Sequence, residues 1–173
     1  MSVSLYSATV AGFLQILPKV GDLVTKAEEH CHSAGSEADA LTSACLAPDQ
    51  WNFAKQVFEC GHHSARAIAG VRAGVFSPEI DPVPSDFASL HKEVADSIAY
   101  LEAVDPAELD GMVGRDMAFR FGERGMDFTV EDFLLSFSMP NFYFHATTAY
   151  SILRNQGLKV GKMDYLGRPR IKS

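Results

Sequence analysis

Leu135-Ser136-Phe137-Ser138-Met139-Pro140-Asn141-Phe142-Tyr143-Phe144-His145-Ala146-Thr147-Thr148-Ala149-Tyr150-Ser151-Ile152-Leu153-Arg154 is the stretch whose reading decides the fold, because from Phe133 to Leu153 no residue is charged. Its length is enough to cross a bilayer. Ser136, Ser138, Asn141, His145, Thr147, Thr148 and Ser151 make it too polar to prefer lipid. A helix that is apolar almost all round yet carries small polar groups is enclosed by other helices, and the rest of the chain must supply them.

Working outward, Thr129 with Asp132 three residues later resembles a capping box at the start of this helix, and Gly157 ends it just past Asn155. Before it the period changes to two: Met117, Phe119 and Phe121 alternate with Ala118 and Arg120, and Gly122 to Gly125 supplies a turn, so a small hairpin is expected between Arg115 and Thr129. A helix from Ser85 or Asp86 to about Asp105 presents Phe87, Leu90, Val94, Ile98 and Leu101 on one face. Gly74 to Asp86 holds Pro78, Pro82 and Pro84 and reads as a long crossover. Asp49 caps a helix reaching about Ala73, with Phe53, Val57, Cys60, Ser64, Ala67, Ile68 and Val71 as its core line. The first helix runs from about Ser7 to Ala34, stops at Gly35 and is expected to kink at Pro18. A short helical piece lies at Glu37 to Leu46. Four long helices and one weak hairpin predict an all-α four-helix bundle.

At 173 residues, 47% hydrophobic and 21% charged, the chain is expected to form one domain over residues 1–173 with a basic extension over 157–173. That extension holds five basic residues against the single Asp164 and reads as a solvated tail or a subunit-contact arm. The net charge of −7 opposes binding to nucleic acid or anionic lipid. Cys31, Cys45 and Cys60 are odd in number without CxxC spacing, and the N-terminal residues lack the pattern of an export signal. The expected compartment is the cytoplasm. The charge-free last helix has more apolar surface than three partners readily cover, which predicts a homodimer.

Chemistry is expected on the two innermost helices. Counting about 100° per residue from Cys60, His63 stands about 60° off the core line and His62 about 160° off, so His63 belongs at the core edge and His62 in solvent. Gln56 and Glu59 share the stripe of His63. On the last helix Asn141 and Thr148 share the side of His145. These six residues, Gln56, Glu59, His63, Asn141, His145 and Thr148, define a polar pocket for a small organic ligand, walled by Phe137, Phe142, Tyr143 and Phe144. The alternative is a divalent metal such as Zn, Ni or Mn on His63 and His145, with Glu59 or His91 as a candidate third ligand, or with Asn141 and water completing the shell. No P-loop, dinucleotide fingerprint or serine-nucleophile elbow is present.

The run Ser4-Leu5-Tyr6-Ser7-Ala8-Thr9-Val10, the run Leu46-Ala47-Pro48-Asp49, Gln56-Val57 followed by His63, the Pro140-Asn141-Phe142-Tyr143-Phe144-His145 segment and the closing Val160-Gly161-Lys162-Met163-Asp164-Tyr165-Leu166-Gly167 together resemble an uncharacterised bacterial family of unknown function. That family is grouped with the DinB/YfiT-like metalloenzymes. The resemblance implies an up-down-down-up four-helix bundle, a dimer, and a divalent metal held by one histidine of the second helix and two of the last. It also implies chemistry of the thiol-dependent transferase or hydrolase type. His63 matches the second-helix position and His145 one of the last-helix pair. The other position of the pair falls on Asn141 or Ala149, neither a strong ligand.

Overall fold

The structure, a computed structural model, describes residues 3–37, 39–79, 83 and 85–172. The chain opens with α1 (Leu5–Ala8), α2 (Val10–Ala34) and the short α3 (Asp39–Thr42). It continues with α4 (Phe53–Gly61), a π-helical turn over His62–Arg66, α5 (Ala67–Ala73) and β1 (Val75–Phe76). Then come α6 (Phe87–Glu102), α7 (Pro106–Asp110), β2 (Asp116–Phe121) and β3 (Arg124–Thr129). The last part comprises α8 (Val130–Asp132), a second π-helical turn over Phe133–Ser138, α9 (Met139–Asn155) and α10 (Lys162–Leu166).

The fold is mostly helical. The helices α2, α6, α4 and α9 touch in a closed circuit, α2 on α6, α6 on α4, α4 on α9 and α9 on α2. Phe13, Leu17 and Val24 of α2, Phe53 and Val57 of α4, Leu90 and Leu101 of α6, and Phe142 and Ile152 of α9 fill the space between them. Phe13 and Phe142 meet edge to face at 4.7 Å across that core, the geometry ring quadrupoles prefer. Gly61 of α4 lies directly against α6: a Cβ there would run into Glu93 and Ser97, and the space it leaves lets Glu93 take both terminal guanidinium nitrogens of Arg66 at 2.5 and 2.7 Å. That forked pairing supplies direction as well as charge.

The all-helical expectation needs one amendment. The hairpin forms as anticipated, with Met117 opposite Phe128 and Phe119 opposite Met126, but it recruits β1 in parallel through Val75 opposite Ala118 and Phe76 opposite Phe119, giving a mixed sheet in the order β1-β2-β3. Two residues are too short a run for periodicity to reveal. Phe76, Phe119 and Phe128 form an aromatic cap with Phe133 and Phe137 at one end of the helices.

Several boundaries differ from the sequence expectation. The break in the first helix falls at Thr9, whose hydroxyl donates to the Leu5 carbonyl at 2.7 Å, while α2 runs through Pro18 as one span. Asn52, not Asp49, caps α4, its side chain accepting from the Lys55 amide at 2.9 Å; Asp49 stays in the preceding turn. Asp86 caps α6 as expected, and Gly35, with φ of 64°, terminates α2. Residues 158–167 are docked on the body, with Lys159, Lys162 and Met163 turned to solvent: Leu158 and Val160 are buried, Gln15 donates to the Leu166 carbonyl at 2.9 Å, and Arg154 donates to the Val160 carbonyl at 2.5 Å. Among the described residues no helix is long and apolar enough to cross a membrane.

Candidate functional site

The capped start of α4 and the buried middle of α9 lie side by side, which brings Gln56 and Glu59 opposite His145. His63 follows within the first π-helical turn. Such turns add a residue to the helical period and recur at functional sites. The second π-helical turn faces it: the Ser138 hydroxyl donates to the His63 carbonyl at 2.7 Å in a buried bond. The two irregular turns therefore fix each other.

Glu59, His63 and His145 each offer a ligand atom, all lying within 4.8 Å of one another, and all three side chains are buried. The imidazoles of His63 and His145 are stacked 5.6 Å apart at 15°. His63 Nε2 stands 3.6 Å from Glu59 Oε2, beyond hydrogen-bond length, and His63 Nδ1 is buried with no partner among the described residues.

The tautomer of His145 follows from its neighbours. Gln56 Nε2 donates to the Trp51 carbonyl at 3.0 Å, which turns Gln56 Oε1 toward His145 Nδ1 at 2.7 Å. An amide oxygen only accepts, so Nδ1 carries the proton and Nε2 keeps its lone pair. Burial lowers the proton affinity of both rings, His63 to a pKa of about 3 and His145 to about 4, so both are neutral ligands at pH 7. Burial pushes the Glu59 carboxyl up, while the Lys55 ammonium at 2.8 Å pulls it back. Two neutral imidazoles and a carboxylate, with one imidazole held by an outer hydrogen bond, are the donor set and support of a zinc-type centre. These residues fit a divalent metal.

A cavity of about 350 Å³ opens over the two histidines, lined by Asp49, Gln50, Trp51, Gln56, Asn141 and Phe144 besides His63 and His145. Trp51 is half exposed and stacks on His145 at 5.7 Å and 18°. Asn141 donates to the Phe137 carbonyl at 2.7 Å, and the buried Gln50 Oε1 has no partner among the described residues.

Of the anticipated residues, Gln56, His63, Asn141 and His145 line this cavity and Glu59 joins the two histidines. Thr148 is buried on α9 but does not line the cavity. His91 lies elsewhere, paired with Glu28 at 2.9 Å, and supplies no third ligand. Within the expected aromatic wall, Phe144 lines the cavity and Phe137 packs on His63 at 5.8 Å, while Phe142 is in the core against Phe13 and Tyr143 approaches Gly12.

His62 corrects the expectation of a solvated ring. It is 4% exposed, covered by Phe76 at 4.6 Å, and burial lowers its pKa to about 4. The Ser77 backbone raises its proton affinity without reaching hydrogen-bond geometry. Periodicity identifies the face turned away from the helical core, but β1, too short for a period to reveal, lays Phe76 over that face. Asp49, Gln50 and Trp51 were missed because they precede the helix cap, where no period applies; the chain's single tryptophan beside a capping Asn was the available signal.

The sequence profile of a family described as Domain of unknown function (DUF1993) matches residues 5–166. The crystal structure of a DinB family member protein from Shewanella denitrificans superposes with a TM-score of 0.81 at 30% identity, covering 98% of this chain and 95% of that chain. No curated protein matches.

Proposed function

We propose, from the premise that the chain belongs to the DUF1993 family and is DinB-like, that Glu59, His63 and His145 hold a divalent metal ion at the floor of a cavity that takes a small organic ligand. The observation that carries this reading is the convergence of three buried ligand atoms within 4.8 Å, one of them on a histidine whose tautomer Gln56 sets. Zinc, nickel and manganese are all compatible with two imidazoles and a carboxylate.

A metal bound there supplies Lewis acidity to a ligand oxygen, sulfur or water. The chain's own residues do the rest. Gln56 holds the His145 proton on Nδ1, and Lys55 favours the charged form of Glu59. Trp51 and Phe144 give the cavity apolar walls beside its polar lining, the mixture that small-molecule sites use. The enzyme type implied is a metal-dependent transferase or hydrolase.

The same reading covers the remaining expectations. Residues 1–173 form one domain, in which the circuit of α2, α6, α4 and α9 is an up-down-down-up four-helix bundle and residues 157–173 are an extension of it. The protein acts in the bacterial cytoplasm as a homodimer without nucleic-acid or membrane partners. Light scattering at micromolar concentration reads the dimer directly, and a monomer mass independent of salt refutes it.

Elemental analysis of protein purified without an affinity tag tests the metal. Near-stoichiometric metal that is lost in His145→Ala is expected; no metal after incubation with zinc, nickel and manganese removes the reading and leaves a cavity for an organic ligand alone.

A further inference from the structure

The two oxygens of Glu59 have different neighbours. Oε1 is ion-paired to Lys55 Nζ at 2.8 Å, and Oε2 is the oxygen turned toward His63 Nε2 at 3.6 Å. Lys55 is itself held in place: its ammonium lies 5.1 Å from the Trp51 ring centroid and 5.0 Å from that of Phe58, and its side chain is only 16% exposed. Cation–π contacts of this kind strengthen when the cation is shielded from water.

We infer that Lys55 is a positioning residue that confines Glu59 to one ligating oxygen and thereby makes the centre select zinc-class ions over manganese and magnesium. The inference rests on the proposed metal site and concerns which ions that site prefers. Two neutral imidazoles add no charge, and the ammonium of Lys55 cancels that of the carboxylate. A hard ion held by charge and by several oxygens gains little from such a set, whereas an ion that bonds well to imidazole nitrogen loses little. Zinc is satisfied by four ligands, so three protein atoms and one further ligand complete it without Oε1. Manganese and magnesium prefer more oxygen ligands, and Oε1 is the donor they are denied.

Calorimetric titration of metal-depleted, untagged protein with zinc and with manganese, all variants at one pH, tests this. Electron paramagnetic resonance of the manganese ion, whose free-ion signal is lost on binding, gives an independent reading. Wild type and Lys55→Arg are expected to prefer zinc. Lys55→Met retains much of the apolar chain over Trp51 and Phe58 but removes the charge, and it is expected to shift the zinc-to-manganese affinity ratio toward manganese by about tenfold, the lower end of what outer hydrogen-bond partners of a metal site control. Lys55→Gln repeats the test with a polar replacement, and circular dichroism verifies each fold. An unchanged ratio in folded Lys55→Met and Lys55→Gln overturns the role of Lys55 while leaving the metal site standing. Failure of folded wild type to bind either ion overturns the site and the inference with it.

Discussion

Gln56 Oε1 accepts a hydrogen bond from His145 Nδ1 at 2.7 Å, joining α4 to α9 through residues far apart in sequence. The contact orients the imidazole by an amide whose own orientation is set one step further out, by the Trp51 carbonyl. Loss of this bond strands a buried imidazole N–H. Gln56→Leu is therefore expected to cost about 1–3 kcal/mol in denaturant unfolding. Metal affinity should fall by about 10- to 100-fold as His145 loses its fixed tautomer. Gln56→Glu keeps the acceptor for His145 Nδ1 but loses the donor to the Trp51 carbonyl, so it should retain more of the affinity than Gln56→Leu, which calorimetry measures.

Ser138 Oγ and the His63 carbonyl lock the two π-helical turns together. Ser138→Ala is expected to destabilise the fold by about 1–3 kcal/mol, because the buried carbonyl loses a donor. The loss should be localised: amide exchange should accelerate around residues 62–66 and 133–138 while the middle of α2 stays protected. Hydrogen-exchange mass spectrometry resolves the two regions.

The buried histidines predict an acid limit to stability. His62, His63 and His145 have folded pKa values of about 4, about 3 and about 4, below the ordinary 6.5. The unfolded chain therefore binds more protons below pH 6.5, so the stability these rings contribute is present above that pH and is lost as pH falls toward their folded values. Each ring contributes a slope of up to about 1.4 kcal/mol per pH unit in that window. Unfolding midpoints measured from neutral to acid pH should fall steeply, and Phe76→Ala, which uncovers His62, should flatten the curve.

Gly61 is expected to tolerate no side chain. Gly61→Ala forces Glu93 and Ser97 away from α4 and strains the forked pair between Arg66 and Glu93. Overpacking at such a contact costs about 1–3 kcal/mol. Gly61→Ala combined with Glu93→Ala should recover part of that loss, and a double-mutant cycle of unfolding free energies reads the coupling.

The amino-acid sequence by itself determined the helical segments, the hairpin, and the nearness of His63 and His145 to the core, because all three follow from local periodicity. The charge-free run around His145 demanded enclosure, and Gln56, Glu59 and His63 sat on one stripe at helical spacing. Only the tertiary structure decided which polar groups meet. His62 stands on the side of its helix away from Cys60, where periodicity predicts solvent, yet it is buried because the two-residue strand β1 brings Phe76 over it. His91 and Thr148 carried the right chemistry on the right kinds of helix, yet helix packing turned His91 toward Glu28 and left Thr148 outside the cavity. Trp51 came into the site through the path of a turn that precedes any regular element. Periodicity reports which face of one helix is buried; which residues of two helices touch depends on the angle and register at which their side chains interlock, and those are properties of the packed core.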